Sequence, residues 1–355
     1  MGIDLDNELA LRALDPHDML GWVERFPEQF ADAWARADAL SLPDTYRNKQ
    51  HIVILGMGGS AIGGDLLAAL MAPTASVPVS VIRGYELPAW VNEDTLVIAS
   101  SYSGNTEETL TTFHEALERK AAVIALTTNG QLEREALDNH LPVIIFPGGG
   151  QPRAALGYSL ILLLGIVETL GYFSLPPEAR AEAAQIIDEL NAACAPGIPK
   201  SENPAKQYAQ MVYQRIPFVL GAGHLQPVAR RWKTQFNENS KTWAAYDEMP
   251  EFNHNLIVGT KAPPDLAQHV LVISLESTLD HPRVKARWDI VADIFQKARL
   301  PHVRVQAPGH HPFAQMMGTI YLGDYVTVYL AFLNGQDPSA IENINALKSA
   351  LAQLT

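Results

Sequence analysis

The chain has 355 residues, of which 47% are hydrophobic and 18% charged, which excludes a disordered chain and suits two globular domains of ordinary size. A formal net charge of −13 at pH 7 and a pI near 5.3 weigh against nucleic acid, which needs a clustered basic surface, so an anionic ligand has to be captured locally. The single cysteine, Cys194, excludes an internal disulfide and a cysteine-rich metal cluster, which fits a reducing cytoplasm.

The first eight residues are acidic and lack an apolar signal core, so secretion is not expected. Residues 14–42 carry apolar side chains at helical spacing, broken at Pro27, with Asp15 and Pro16 suited to a helix start; they predict a helical lead-in. His51-Ile-Val-Ile-Leu55 reads as a buried strand, followed by the glycine-rich turn Gly56-Met-Gly-Gly-Ser-Ala61 and a helix through Leu70. Further strands are expected at 79–82, 96–99, 123–127 and 143–146, separated by helical stretches, the alternation of a doubly wound parallel sheet.

The Gly56 turn invites comparison with the dinucleotide fingerprint, but the next strand ends at Arg83 with no acidic residue to hold a ribose. A nicotinamide cofactor is therefore not expected. The turn reads either as close backbone approach to a small ligand, through Gly58, Gly59 and Ser60, or as helix–strand packing alone.

From Thr95 an apolar strand runs into the hydroxyl-rich turn Ser101-Tyr-Ser-Gly-Asn-Thr106 and directly on into a helix. Gly104 lets the backbone approach a ligand, and the first helical N–H groups lie at the positive end of the dipole without intrahelical partners. Ser101, Ser103 and Thr106 are thus candidates to hold a phosphate or carboxylate without a lysine; helix capping alone is the alternative.

The longest apolar run, 154–173, approaches the ~20 residues a bilayer requires, but Tyr158, Ser159, Glu168 and Thr169 would be costly in hydrocarbon. It predicts a buried helix and no membrane partner. A second helix follows from Pro176-Pro-Glu178 through Leu190, and 195–204 is rich in breakers. These features predict a first domain over 1–175, a helix and linker over 176–204, and a second domain over 205–355.

The second half echoes the first in order and spacing: 216–223 matches the strand before Gly58, 270–277 matches 96–103, 303–309 matches 123–130, and 320–331 answers the buried helix. Two similar α/β halves from an internal duplication are expected. At the phosphate position, Ser274-Leu-Glu-Ser-Thr-Leu-Asp280 lacks the Ser-Gly-Asn-Thr run and gains acids, so one phosphate site per chain is predicted.

For chemistry, Arg230 to Lys241 reads as a helix ending in a polar knot, with Glu238 near Trp232, Phe236 and Trp243. Apolar surroundings would raise its pKa toward the range of a general base; a solvated surface pair is the alternative. His254 lies between Asn253 and Asn255 at an expected strand start, flanked by amides able to fix its tautomer. The pair His310-His311 has no companion Cys or spaced carboxylate and reads as a loop feature, so no metal is expected.

Together, the Gly56 to Asp65 turn, Ser101 to Glu107, Pro152-Arg153, Asn237-Glu-Asn-Ser-Lys241 and Asn253-His-Asn255 resemble the bifunctional phosphoglucose/phosphomannose isomerase family of sugar isomerase (SIS) folds. The resemblance implies two SIS subdomains, a C-terminal helix, a cytoplasmic homodimer without cofactor or metal, and interconversion of glucose 6-phosphate and mannose 6-phosphate with fructose 6-phosphate. It also implies roles: Gly58, Gly59 and Ser60 line the sugar, while Ser101, Ser103 and Thr106 hold the phosphate. Arg153 stabilises the enediolate and Glu238 shuttles the proton, while His254, contributed across the dimer, opens the ring with Lys348. A silent phosphosugar sensor and an isomerase of amino-sugar phosphates remain the alternatives.

Overall fold

The computed structural model describes residues 3–353, and the chain forms two compact units, each built on its own parallel sheet. The first comprises Arg25–Ile187 with Gly309–Met316; the second comprises the described residues up to Glu24, Asp188–Pro308, and the described residues from Met317 onward. These units do not follow the linear boundaries expected at 175 and 204, because short segments are held by side chains distant in sequence. In the second unit Lys206 Nζ donates to Asp6 at 3.0 Å and Tyr321 donates to the Val23 carbonyl at 2.9 Å. In the first, the Glu182 carboxylate accepts from the backbone N–H groups of His310 and His311, and Phe313 stacks on Phe30.

The sheet of the first unit contains β1 (His51–Leu55), β2 (Val79–Ile82), β3 (Thr95–Ser101), β4 (Ala122–Thr127) and β5 (Val143–Ile145), in the order β2-β1-β3-β4-β5. All pairings are parallel, with Val53 in register with Ser80 on one side and Val97 on the other. Helices cover both faces, so the central strands read as continuous apolar runs rather than alternating ones. On one face Val53, Leu55, Val97, Ala99 and Val123 close on Phe113, which the helix Glu107–Glu118 supplies. Elsewhere in the unit the helix Phe26–Asp38 packs on Leu156–Thr169, where Gly157 and Gly165 leave room for Gln29 and Ala37. Pro27 falls in the first turn of Phe26–Asp38, where its missing N–H is not needed; it starts that helix instead of interrupting one.

The sheet of the second unit contains β6 (Ile216–Ala222), β7 (Ala245–Met249), β8 (Val270–Glu276) and β9 (His302–Gln306), all parallel in the order β7-β6-β8-β9. The order of the first four strands is thus the same in both units. The turn after the first strand also repeats: Met57 (φ −126°, ψ 154°) and Ala222 (φ −131°, ψ 152°) each precede a glycine at φ +51°, Gly58 and Gly223. Shared strand order and shared turn geometry support duplication.

The apolar run 154–173 forms the buried helix Leu156–Thr169. Pro312–Leu333 is long and apolar enough to cross a membrane, yet Met317–Leu333 is buried throughout within the second unit, where Tyr321 and Tyr325 both donate to Asn191 Oδ1. It is a core helix. The C-terminal helix Glu342–Leu351 buries none of its residues.

Candidate functional site

The turn after β3 is shaped by two glycines held close together. Gly104 has φ +64°, and a Cβ there would lie 1.7 Å from the Asn129 carbonyl oxygen; a Cβ on Gly130 would lie 2.4 Å from that of Ser103. No other residue type fits this backbone crossing. Ser101, 2% exposed, places its Oγ 3.0 Å from Thr106 Oγ1. Thr106 is the N-cap of Glu107–Glu118, but its hydroxyl turns to Ser101 and makes no side-chain bond to the helix. The helix start therefore keeps donors that a capping threonine would have satisfied. Ser103 is exposed, its Oγ accepting from the Asn105 N–H at 3.3 Å. Asn105 serves the loop itself, donating to the Ser103 carbonyl and accepting from the Gln131 N–H. A phosphate here would meet hydroxyls and a dipole, charge-assisted bonds of roughly 1.5–3 kcal/mol each.

The glycine turn lies beside it. Ser60 Oγ accepts from the Tyr102 N–H at 3.1 Å. Gly58 is exposed, and a Cβ built on it meets nothing within 4 Å, which leaves its backbone open to a ligand. Gly59 is different: its Cβ would lie 3.0 Å from the Pro152 carbonyl carbon and oxygen and 3.2 Å from the Arg153 nitrogen. Its missing side chain seats the short 3-10 helix Pro152–Ala154, which carries Arg153, 2% exposed and with Nη1 3.5 Å from Gln151 Oε1. Ser60, Ser101, Thr106 and Arg153 thus come together within one unit.

Glu238 ends the helix Gln226–Glu238 and lines a cleft of about 310 Å³ with Asn237, Lys241, Gln336, Ala340, Ile341, Glu342, Asn343 and Ile344. The aromatic neighbours expected to surround it are corrected here. Trp232 and Phe236 are buried in the core on the other side of the helix, and Trp243 is 79% exposed, so none of these aromatic rings encloses Glu238, and its cleft is lined by polar side chains together with Ala340, Ile341 and Ile344. Gln336 and Asn343 carried no sequence motif; the only hint was the breaker-rich stretch 334–338 after a long apolar helix. Lys241 Nζ donates to the Glu238, Asn239 and Asp337 carbonyls, tying that stretch to the helix end.

His254 closes the 3-10 helix Glu251–His254, followed by the 3-10 helix Leu256–Lys261, instead of starting a strand; β8 begins later, at Val270. Its ring is exposed, and the flanking amides are engaged elsewhere: Asn253 Oδ1 accepts from Arg287 and Asn255 Nδ2 donates to Glu251. Lys348 is exposed on Glu342–Leu351. His311 caps a helix, its Nδ1 accepting from the Phe313 N–H at 3.1 Å. Among the described residues no group of three or more His, Cys, Asp or Glu side chains is placed to hold a metal ion.

At the tip of β8, the counterpart of the phosphate turn is filled from within. Glu276, 6% exposed, takes a two-pronged pair from Arg304 at 2.7 and 2.6 Å and a bond from Ser274 Oγ at 2.9 Å. A carboxylate already holds the cation there.

Two parallel sheets, each with a Gly-x-Gly turn after its first strand, and a hydroxyl-rich turn at a helix start define a double SIS-type protein. Residues 45–149 match the SIS domain family, and 201–351 match the bacterial phospho-glucose isomerase C-terminal SIS domain. A bifunctional phosphoglucose/phosphomannose isomerase of Caldicellulosiruptor bescii is 39% identical over 94% of this chain and 98% of its own. One of Aquifex aeolicus is 32% identical over 84% of this chain and 90% of its own. A solved structure of a hypothetical protein of Thermus thermophilus has the same fold, with TM-score 0.77 over 98% of this chain and 94% of that one at 18% identity. The chain belongs to the bifunctional phosphoglucose/phosphomannose isomerase family.

Proposed function

We propose that this protein interconverts glucose 6-phosphate and mannose 6-phosphate with fructose 6-phosphate through a cis-enediolate. The observation that carries the reading is the Ser101–Thr106 pair at an uncapped helix start, in a chain of this family. Ser101, Ser103 and Thr106 hold the phosphate, and Gly58, Gly59 and Ser60 line the sugar. Binding the phosphate supplies remote interaction energy that orients C1 and C2 for reaction.

Glu238 removes the proton from C1 of the ketose and returns it to C2, giving either aldose according to the face it reaches. Arg153 donates to the enediolate oxygen as charge develops there. His254 and Lys348 act earlier, moving protons at the ring oxygen and the anomeric hydroxyl so that the sugar opens. The reaction calls for no cofactor and no metal. In the cytoplasmic homodimer that accompanies this reading, His254 comes from the neighbouring subunit.

A silent sensor would use the phosphate turn and leave the Glu238 cleft without a task. The discriminating experiment incubates purified protein with fructose 6-phosphate and identifies the products. Glucose 6-phosphate and mannose 6-phosphate together are expected. Binding without turnover would favour the sensor, and turnover confined to amino-sugar phosphates would favour that alternative.

A further inference from the structure

Tyr102 sits inside the phosphate turn yet points none of its polar groups at the place where a phosphate would lie. Its N–H donates to Ser60 Oγ at 3.1 Å, and its carbonyl accepts from the Thr128 N–H at 3.3 Å and Oγ1 at 2.7 Å. Its hydroxyl donates to the Gly150 carbonyl at 2.9 Å and accepts from the Gly150 N–H at 3.1 Å. One oxygen thus satisfies both backbone groups of one glycine. Burial pushes this phenol above its ordinary pKa, so it stays protonated and able to donate. The ring is held edge-on by Phe146, with centroids 6.0 Å apart.

The residue so held belongs to Gly148-Gly-Gly150, three glycines with Gly149 at φ +107°. Such a run has almost no conformational preference of its own, so its path depends on its contacts. Two residues further on, Pro152–Ala154 carries Arg153, packed against Gly59. A cation that stabilises an enediolate has to be placed to within a fraction of an ångström.

We propose that Tyr102 is a positioning residue: its hydroxyl fixes the Gly148–Gly150 loop and thereby sets Arg153 for the enediolate step, independently of phosphate binding. This rests on the isomerase reading and on the role given there to Arg153.

The test compares Tyr102→Phe, Arg153→Gln and the double variant with wild type, using fructose 6-phosphate. Tyr102→Phe is expected to lower kcat by about 10- to 100-fold, the cost of a misplaced catalytic group, and to leave KM within about twofold. On the Arg153→Gln background the same change should cost little more, because the two residues act as one unit. Amide exchange should rise in 146–153 and stay level elsewhere. Full kcat in Tyr102→Phe with a damaged Arg153→Gln would overturn the positioning role alone. Full kcat in Arg153→Gln would overturn the assignment of Arg153 and this proposal with it. Additive losses, a raised KM as the main effect, or a rise in exchange across the whole unit would each show that Tyr102 acts on phosphate binding or on stability instead.

Discussion

Ser101 and Thr106 share one hydrogen bond, and the hydroxyl that accepts it keeps its own O–H for a ligand oxygen. Thr106→Val keeps the shape and removes the donor. It should raise KM for fructose 6-phosphate by about tenfold, the loss of one bond to a charged group, while kcat and thermal stability change little. Unchanged KM and kcat would remove Thr106 from the phosphate site. Gly104→Ala should instead damage the fold, because the added Cβ meets the Asn129 carbonyl in a left-handed backbone. A loss of more than about 2 kcal/mol in urea unfolding is expected. The turn at Ser101–Thr106 was legible because Ser, Gly, Asn and Thr stand next to one another in the chain. The setting of Glu238 was not. At about 100° per residue, a side chain two positions beyond Phe236 points to the opposite side of the helix, so nearby aromatic residues in sequence do not enclose it.

Among the elements, the strands were readable since fully buried parallel strands form unbroken apolar runs between helical stretches. The segment around His254 was misread because two short 3-10 helices leave no period in the sequence, and Leu256-Ile-Val258 mimics a strand start. The His-Pro starts of Pro282–Lys297 and Pro312–Leu333 share a device visible only in coordinates: His281 and His311 each cap with Nδ1, at 3.1 Å in both. Capping requires the neutral ring. Burial pushes His311 below its ordinary value of 6.5, although the Glu182 charge pulls the other way. The unfolded chain then binds a proton that the folded chain resists, so this contribution is present above about pH 6.5 and is lost as pH falls through the depressed folded value. His311→Asn keeps a capping oxygen that does not titrate. Urea midpoints at pH 7.5 and 5.5 should fall less for this variant than for wild type, and equal falls would contradict the cap.

Across the molecule, the duplication was readable from recurring order and spacing, whereas the membership of the two compact units was not. The described residues up to Glu24, which include only the first part of the lead-in, belong with Lys206 and Tyr321 through bonds spanning about 200 and 300 residues, beyond any local pattern. The proposed shared site makes a prediction at this level. Glu238→Gln and His254→Ala, each inactive alone, should recover roughly a quarter of wild-type activity after dissociation, mixing and reassociation, because half of the dimers then contain one intact site. No recovery, with mixed dimers verified by mass, would place His254 in its own chain's site or outside catalysis. Dialysis against EDTA should leave turnover unchanged; loss restored by one divalent cation would contradict the metal-free reaction.

Proton transfer by Glu238 is the step on which the proposed reaction turns, and solvent deuterium reads that step at the reacting carbon. In D2O the proton held by Glu238 exchanges with solvent before it is returned, so wild-type protein acting on fructose 6-phosphate should produce glucose 6-phosphate and mannose 6-phosphate carrying deuterium at C2. Glu238→Gln should retain phosphosugar binding while incorporation falls by about 10²- to 10⁴-fold, the usual cost of removing a positioned base. Incorporation by Glu238→Gln at the wild-type rate would take the proton-transfer role away from Glu238.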